Sequence, residues 1–275
     1  MNFVLSVISI DTGRSHTKVI APNMQVKFPS IISEWYERPL SKGGDYELEY
    51  QGKYFVGELA REGFFRSINA ESSKIHLDMK LLFITALASV NPQNETIIVT
   101  GVPVDMHIED IKKDMRHYLK GIHEGKLNGK EFKFTVKALE ICPEGAAAYW
   151  DHILDAYGNI AKDTSGVYRI IDIGSRTINV ATIINQMYLN RESFTLDYGC
   201  YDYEHAKVKD TKLFYKRIMN DVMKRWSDYR ESDRVLLSGG GSLLLKEHIR
   251  DNIIDDPIYA NARGFRKLGV AKWQG

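Results

Sequence analysis

Three observations predict an α/β fold in two lobes. Apolar runs of strand length alternate with longer segments whose apolar residues recur at helical spacing, the pattern of sheets covered by helices. A strand-turn-strand opening occurs twice, as Ile10-Asp11-Thr12-Gly13 and Ile171-Asp172-Ile173-Gly174, each with Asp near the end of an apolar strand and Gly in the turn that follows. The 275 residues sit near the size, roughly 250–300, at which a single core stops growing, so each opening can found its own lobe with a cleft between the two. The division falls near Pro143. Residues 1–142 form the first lobe, with a small subdomain inserted at about 28–70. Residues 143–260 form the second, and a terminal helix at 261–273 packs back on the first.

Residues 4–10 read as a buried strand, and 17–21 return as its hairpin partner across a polar turn containing Gly13. The subdomain mixes aromatic and charged residues and holds a hairpin, 46–50 with 54–56, turned at Gln51-Gly52. Ser72 and Ser73 suit the N-cap of a helix in which Ile75, Met79, Leu82, Phe83 and Ala86 recur at helical spacing until Asn91-Pro92 stops it. Residues 97–100 make a core strand, and 107–120 an amphipathic helix with Ile108, Ile111, Met115 and Leu119 on one stripe. Asn128-Gly129 is the strongest hairpin signal in the chain. Residues 144–154 form an Ala-rich helix, followed by a meander of strands at 167–173, 178–184 and 188–196. A long helix at 209–229, a strand at 234–238, a helix at 242–250 and the terminal helix complete the order.

Hydrophobic residues at 44% and charged residues at 27% are ordinary globular values and exclude disorder, collagen and coiled coil. A formal net charge of +1 gives no overall field toward nucleic acid, an anionic membrane or an acidic substrate, so any such partner is met through a local patch or an adaptor. Lys216, Arg217, Lys224 and Arg225 make one modest basic patch on what otherwise reads as the wet face of a helix. Cys142 and Cys200 supply neither a disulfide framework nor a zinc set. The N-terminal run lacks a basic n-region and a cleavage site, and no window approaches the ~20 apolar residues of a membrane span, so a cytoplasmic protein is expected. No zinc spacing of His and no nucleophile triad pattern is present.

Four segments carry candidate chemistry. In Asp11-Thr12-Gly13-Arg14-Ser15-His16-Thr17-Lys18, a tight turn offers backbone N–H groups, Gly13 admits an anion to the backbone, and Ser15 and Lys18 add a hydroxyl and a cation. Asp11 cannot bind phosphate itself and suits the hydration shell of Mg²⁺. Asp172-Ile173-Gly174-Ser175-Arg176-Thr177-Ile178-Asn179 repeats the logic. One Asp-x-Gly turn is an ordinary β-turn, but two facing loops grip a phosphate chain from both sides. Ser238-Gly239-Gly240-Gly241-Ser242, between an apolar strand and a helix, offers N–H groups to an anion without the spacing of a dinucleotide fingerprint or a P-loop. Glu144, in Cys142-Pro143-Glu144-Gly145-Ala146-Ala147-Ala148, is placed to orient or deprotonate a water, or simply favours the first turn of its helix.

In this order, Asp-x-Gly turn, Glu-Gly-Ala-Ala helix, Asp-x-Gly turn and Gly-Gly-Gly, the chain resembles the actin, heat-shock chaperone and sugar-kinase superfamily. Within it, the wording of residues 10–18, Thr100-Gly101-Val102-Pro103 and Asn261-Ala262-Arg263-Gly264-Phe265-Arg266-Lys267-Leu268-Gly269 is similar to the bacterial actin-like plasmid-segregation proteins of the ParM and AlfA type. The resemblance implies a two-lobed actin-like fold, a duplicated ribonuclease-H-like arrangement with a central nucleotide cleft. It implies ATP or GTP with Mg²⁺ held through water by Asp11 and Asp172, phosphates on Thr12, Gly13, Arg14, Ser15, Gly174, Ser175, Arg176 and Thr177, with added charge from Lys18. Gly239, Gly240 and Gly241 would touch the nucleoside, and Glu144 would position the attacking water in slow hydrolysis. It also implies head-to-tail filaments that move plasmid or phage DNA through a DNA-binding adaptor on a centromere-like site, with no direct DNA or membrane contact. A small-molecule kinase or phosphatase and a non-hydrolysing scaffold are the alternatives. The stretch from Gly199 to Arg234, 36 residues, has no room for the subdomain usual in the second lobe, as in the compact AlfA type.

Overall fold

The computed structural model describes residues 6–37, 46–67, 75–92, 94–226, 228–248 and 252–274. They divide into two compact units, one of the described residues up to Thr100, with Glu109–Ile141 and Lys272–Gln274, the other of the described residues in Gly101–Ile108 and Cys142–Ala271. The terminal helix, expected on the first lobe, therefore belongs up to Ala271 with the second, as do residues 101–108.

The first unit is built on β1 (Ser6–Thr12), β2 (His16–Ala21), β3 (Met24–Pro29), β4 (Ile31–Glu34), β5 (Tyr46–Glu49), β6 (Lys53–Val56), β7 (Phe65–Ser67), α1 (Leu77–Ser89), β8 (Glu95–Val102), α2 (Glu109–Leu119), β9 (Gly121–Leu127) and β10 (Lys130–Pro143). Ten strands form one sheet in the order β3-β2-β1-β8-β10-β9-β5-β6-β4-β7. The three expected hairpins form, with Asn128 and Gly129 both at positive φ as a two-residue hairpin turn requires. Strand β3, absent from the sequence reading, extends the opening hairpin into a meander. Ser72 and Ser73 lie outside the described residues; α1 starts at Leu77, and its N-cap is His76, whose Nδ1 accepts from the Met79 N–H at 3.2 Å. On α2, Met115 and Leu119 are buried but Ile108 precedes the helix and is exposed.

The second unit continues with α3 (Ala146–Ile153), β11 (Val167–Ile173), β12 (Ile178–Ile184), β13 (Met187–Tyr188), β14 (Phe194–Leu196), α4 (Cys200–Glu204), α5 (Thr211–Met223), β15 (Arg234–Ser238) and α6 (Ala260–Trp273). The sheet order is β13-β12-β11-β15, with β14 also on β12. Alternation along β11 sorts its residues onto two faces. Ile171 and Ile173 join Phe214, Ile218 and Val222 of α5, while Tyr168 and Ile170 join Tyr149 and Ile153 of α3 and Ala260 of α6. Gly264 is what lets α6 lie close on α3, since a Cβ there would stand 1.8 Å from the Ala147 carbonyl oxygen.

Three expectations are corrected. The third strand of the meander is broken by a 3-10 turn at Asn190–Glu192, where Glu192 turns inward to meet Arg169. The long helix is shorter, Thr211–Met223, with its start set by the Asp210 carboxylate, which accepts from the Lys212 and Leu213 N–H groups. The segment after the glycines is a 3-10 helix, Gly240–Leu245, in place of an α-helix. Between Gly199 and Arg234 the described residues hold α4 and α5 and no strand.

The two units share one local topology. In each, the strand bearing the aspartate has an antiparallel partner on one side, β2 or β12, and a parallel partner on the other, β8 or β15. The register repeats as well, with Asp11 opposite Lys18 and Asp172 opposite Asn179.

Candidate functional site

In the first unit, β1 carries Asp11 and Thr12 to the turn Gly13-Arg14-Ser15, and the hairpin register then sets Lys18 across from Asp11. The Lys18 ammonium donates to Asp11 Oδ2 at 2.8 Å, with both side chains largely shielded from solvent. The turn is strapped by Ser30, whose Oγ donates to the Gly13 carbonyl at 2.6 Å and whose N–H donates to the Ser15 carbonyl at 2.9 Å. A Cβ on Gly13 would stand 2.8 Å from the His16 carbonyl oxygen, so the turn closes only on glycine. Ser15 is exposed, with its Oγ 2.9 Å from His16 Nδ1. Burial, then the charges of Lys27 and Lys18, lower the His16 pKa, which keeps that ring neutral at pH 7.

In the second unit, Asp172 is 5% exposed and each carboxylate oxygen has a donor. Ser238 Oγ donates to Oδ1 at 3.0 Å and Asn261 Nδ2 to Oδ2 at 2.8 Å. The loop Gly174–Thr177 is closed by the Gly174 N–H on the Thr177 carbonyl. Its outer carbonyls are taken by the start of α4, Cys200 N–H donating to Gly174 and Tyr201 N–H to Ser175. The Arg176 guanidinium lies 3.1 Å over the Tyr201 ring, which stacks in turn on His205. Arg176 thus ties the loop to α4 through its side chain.

The three glycines differ. Gly239 has φ +78°, and a Cβ would stand 2.7 Å from Asp172 Oδ1; at Gly241 a Cβ would meet Cys200 Sγ and Ile173. Gly240 is exposed, and a Cβ there meets nothing within 4 Å, so packing accounts for two glycines and leaves the third to some other cause. Burial against this loop pushes the Cys200 thiol up to about 12.

Glu144 lies before α3, in the turn that Gly145 makes at φ +80°, and not in the helix. It is buried, its N–H donates to the Val102 carbonyl at 2.8 Å, and its Oε2 accepts from Asn179 Nδ2 at 2.9 Å. Asn179 Oδ1 accepts in turn from the Val104 N–H and from Thr195 Oγ1. Asn261 joins this turn to Asp172, because its Oδ1 accepts from the Gly145 N–H at 3.0 Å while its Nδ2 donates to the aspartate. Within this unit, therefore, Glu144, Asp172, the loop after it and Gly239 form one connected set. The sequence reading missed Ser238, Asn179 and Asn261 as its holders. Each stands inside a quoted motif, but only the fold shows what it holds.

The sequence model of the N-terminal domain of actin-like proteins matches residues 9–146. No curated protein sequence matches the chain. Among solved structures, the chain is similar to the apo psk41 ParM protein with TM-score 0.79 and 18% identity, over 97% of each chain. It is similar to the archaeal actin homologue Ta0583 in complex with ADP, with TM-score 0.79 and 18% identity over 96% of this chain and 99% of that one. The AlfA filament bound to AMPPNP gives TM-score 0.70 and 21% identity over 98% of each. At these identities the likeness is one of fold.

Proposed function

The chain belongs to the actin-like protein family, with its two-lobed α/β fold, and from that premise we propose that it is a nucleotide-dependent filament-forming protein that binds ATP or GTP with Mg²⁺ and hydrolyses it slowly. One observation carries the reading. Both units end an aspartate-bearing strand, flanked by one antiparallel and one parallel neighbour, in a glycine turn that rejects a Cβ. A duplicated hairpin of this kind suits binding of a phosphate chain better than it suits two unrelated turns.

The residues fit hydrated Mg²⁺. Among the described residues no group of three or more His, Cys, Asp or Glu could hold a metal, so no all-protein cage competes with a magnesium that keeps its waters and leans on substrate phosphates. Asp11 and Asp172 are the carboxylates for that shell, and the bound ion would neutralise phosphate charge. The protein's own contribution is positioning, which is most of what phosphoryl transfer needs. Asp172 is oriented by Ser238 and Asn261, and Glu144 by Asn179, so each carboxylate is fixed before ligand arrives. Glu144 is assigned to the attacking water, Gly240 to the nucleoside, and the backbone of Thr12–Ser15 and Gly174–Thr177 to the phosphates. Lys18 adds charge from its place beside Asp11.

Open filaments arise when one surface meets a different surface on the next copy. A net charge near zero permits such association, and leaves DNA contact to an adaptor on plasmid or phage DNA. The short stretch after Gly199 leaves the base with fewer walls, which predicts weak base selectivity. Phosphate release tests the site: Asp172→Ala abolishes Mg²⁺-dependent release, and persistence of that release removes the metal assignment.

A further inference from the structure

Two faces of the chain expose apolar side chains together with charge of opposite sign. In the first unit, Trp35, Tyr36, Phe64 and Phe65 are all exposed, Phe64 completely. They form one patch. Trp35 and Tyr36 both flank Phe55, with ring centroids at 6.4 and 5.3 Å, Gly63 backs onto the Tyr36 ring, and Phe65 pairs with Ser33 of β4. Between Phe28 and Arg66 the chain carries seven carboxylates against five cations.

In the second unit, Lys212, Leu213 and Lys216 share the solvent side of the first turns of α5, opposite the buried Phe214 and Ile218, and Lys209 is exposed just before the helix. Leu213 is 59% exposed and nearby Val208 73%. Among the described residues Lys207, Lys209, Lys212 and Lys216 have no ion-pair partner, whereas Lys224 beyond the far end of α5 is held by Asp221. From Lys207 to Arg230 the chain carries eight cations against three carboxylates.

The faces are complementary in kind as well as sign. Ammonium groups are attracted to exposed aromatic rings, aliphatic Leu213 and Val208 can cover aromatic area, and the surplus carboxylates match the surplus lysines. An acidic partner would satisfy the lysines and leave the aromatic patch bare; a second copy of this chain covers both. We propose that the aromatic face of one copy docks on the lysine face at the start of α5 of the next, a heterologous contact that can repeat along an assembly. This rests on the filament reading above and names the surfaces it uses.

The test uses two variants of the full chain at exposed positions, Phe64→Ser and the double substitution Lys212→Glu with Lys216→Glu, with thermal melts confirming that both remain folded. Alone, each raises the protein concentration needed to sediment with nucleotide by about tenfold or more. Mixed, they form a heterodimer in analytical ultracentrifugation, because each retains the face that the other lacks. Variants that sediment like the wild type, or a mixture that stays monomeric, overturn the contact. So does binding of the wild type to phosphatidylserine vesicles that the lysine variant loses, with no heterodimer in the mixture. A wild type that never sediments counts against the filament reading, while the heterodimer still decides this contact on its own.

Discussion

Asp11 and Asp172 occupy equivalent places in two hairpins but are held by different chemistry. Asp11 faces the Lys18 ammonium, whereas Asp172 is gripped by the neutral donors Ser238 and Asn261. Replacing Asn261 with Ala removes a donor to a buried carboxylate and leaves the Gly145 N–H without its acceptor. An unmade hydrogen bond of this kind costs about 1–3 kcal/mol, so chemical denaturation of Asn261→Ala will show a loss in that range. Phosphate release in the same variant falls as well, because Asp172 loses its orientation. The aspartates, the glycines and Glu144 were legible in the sequence, since an Asp-x-Gly turn after an apolar strand is a local pattern. Asn261 was not, because the partner that gives it a role lies 89 positions away and a lone Asn near a helix start reads as a cap.

At the scale of elements, β11 carries a charge where its neighbours are apolar. Arg169 is 2% exposed, donates to Glu192 and Asp233 at 2.6 Å each, and has its guanidinium 4.9 Å from the Trp226 ring. Removing it strands two buried carboxylates, and breaking such a set costs about 3–5 kcal/mol, so Arg169→Ala will lower stability by that amount in equilibrium denaturation. In the other unit, His123 of β9 lies between α2 and β5. Its Nε2–H donates to the Leu119 carbonyl at 2.9 Å and its Nδ1 lies 2.9 Å from the Tyr50 hydroxyl, a donor that suits the neutral ring. Burial is the main cause of its lowered pKa, with Lys80 adding to the effect. The unfolded chain therefore takes up the proton first as pH falls below about 6.5, and the folded state loses stability through that range. His16 and His152 share the direction, so the wild type weakens from pH 7.5 to 5.5 and His123→Gln weakens less over the same interval, as urea midpoints will show. Most elements could be read from periodicity and turn residues. Strand β3 could not, because its exposed start at Met24 and Gln25 lacks the alternation of a half-buried strand. The helix expected after Gly241 failed too, since its leucines follow a 3-10 turn, two of them exposed.

The whole chain is an actin-like protein in two units that repeat one local topology around one aspartate each. The fold was legible because the repeat is written in the sequence as two hairpin openings of the same wording. The placement of the terminal helix was not, since its attachment depends on Gly264 reaching the Ala147 backbone and on Arg263 and Lys267 meeting Asp151. Between Gly199 and Arg234 the described residues hold α4 and α5 and no strand. The claim on which the proposed function stands is assembly driven by nucleotide. Sedimentation of the purified protein with and without ATP or GTP and Mg²⁺, with electron microscopy of the pellets, measures that claim directly. Filaments are expected with nucleotide and a soluble protein without it. A protein that stays in the supernatant across nucleotides, salts and concentrations, or that pellets equally without nucleotide, would contradict it.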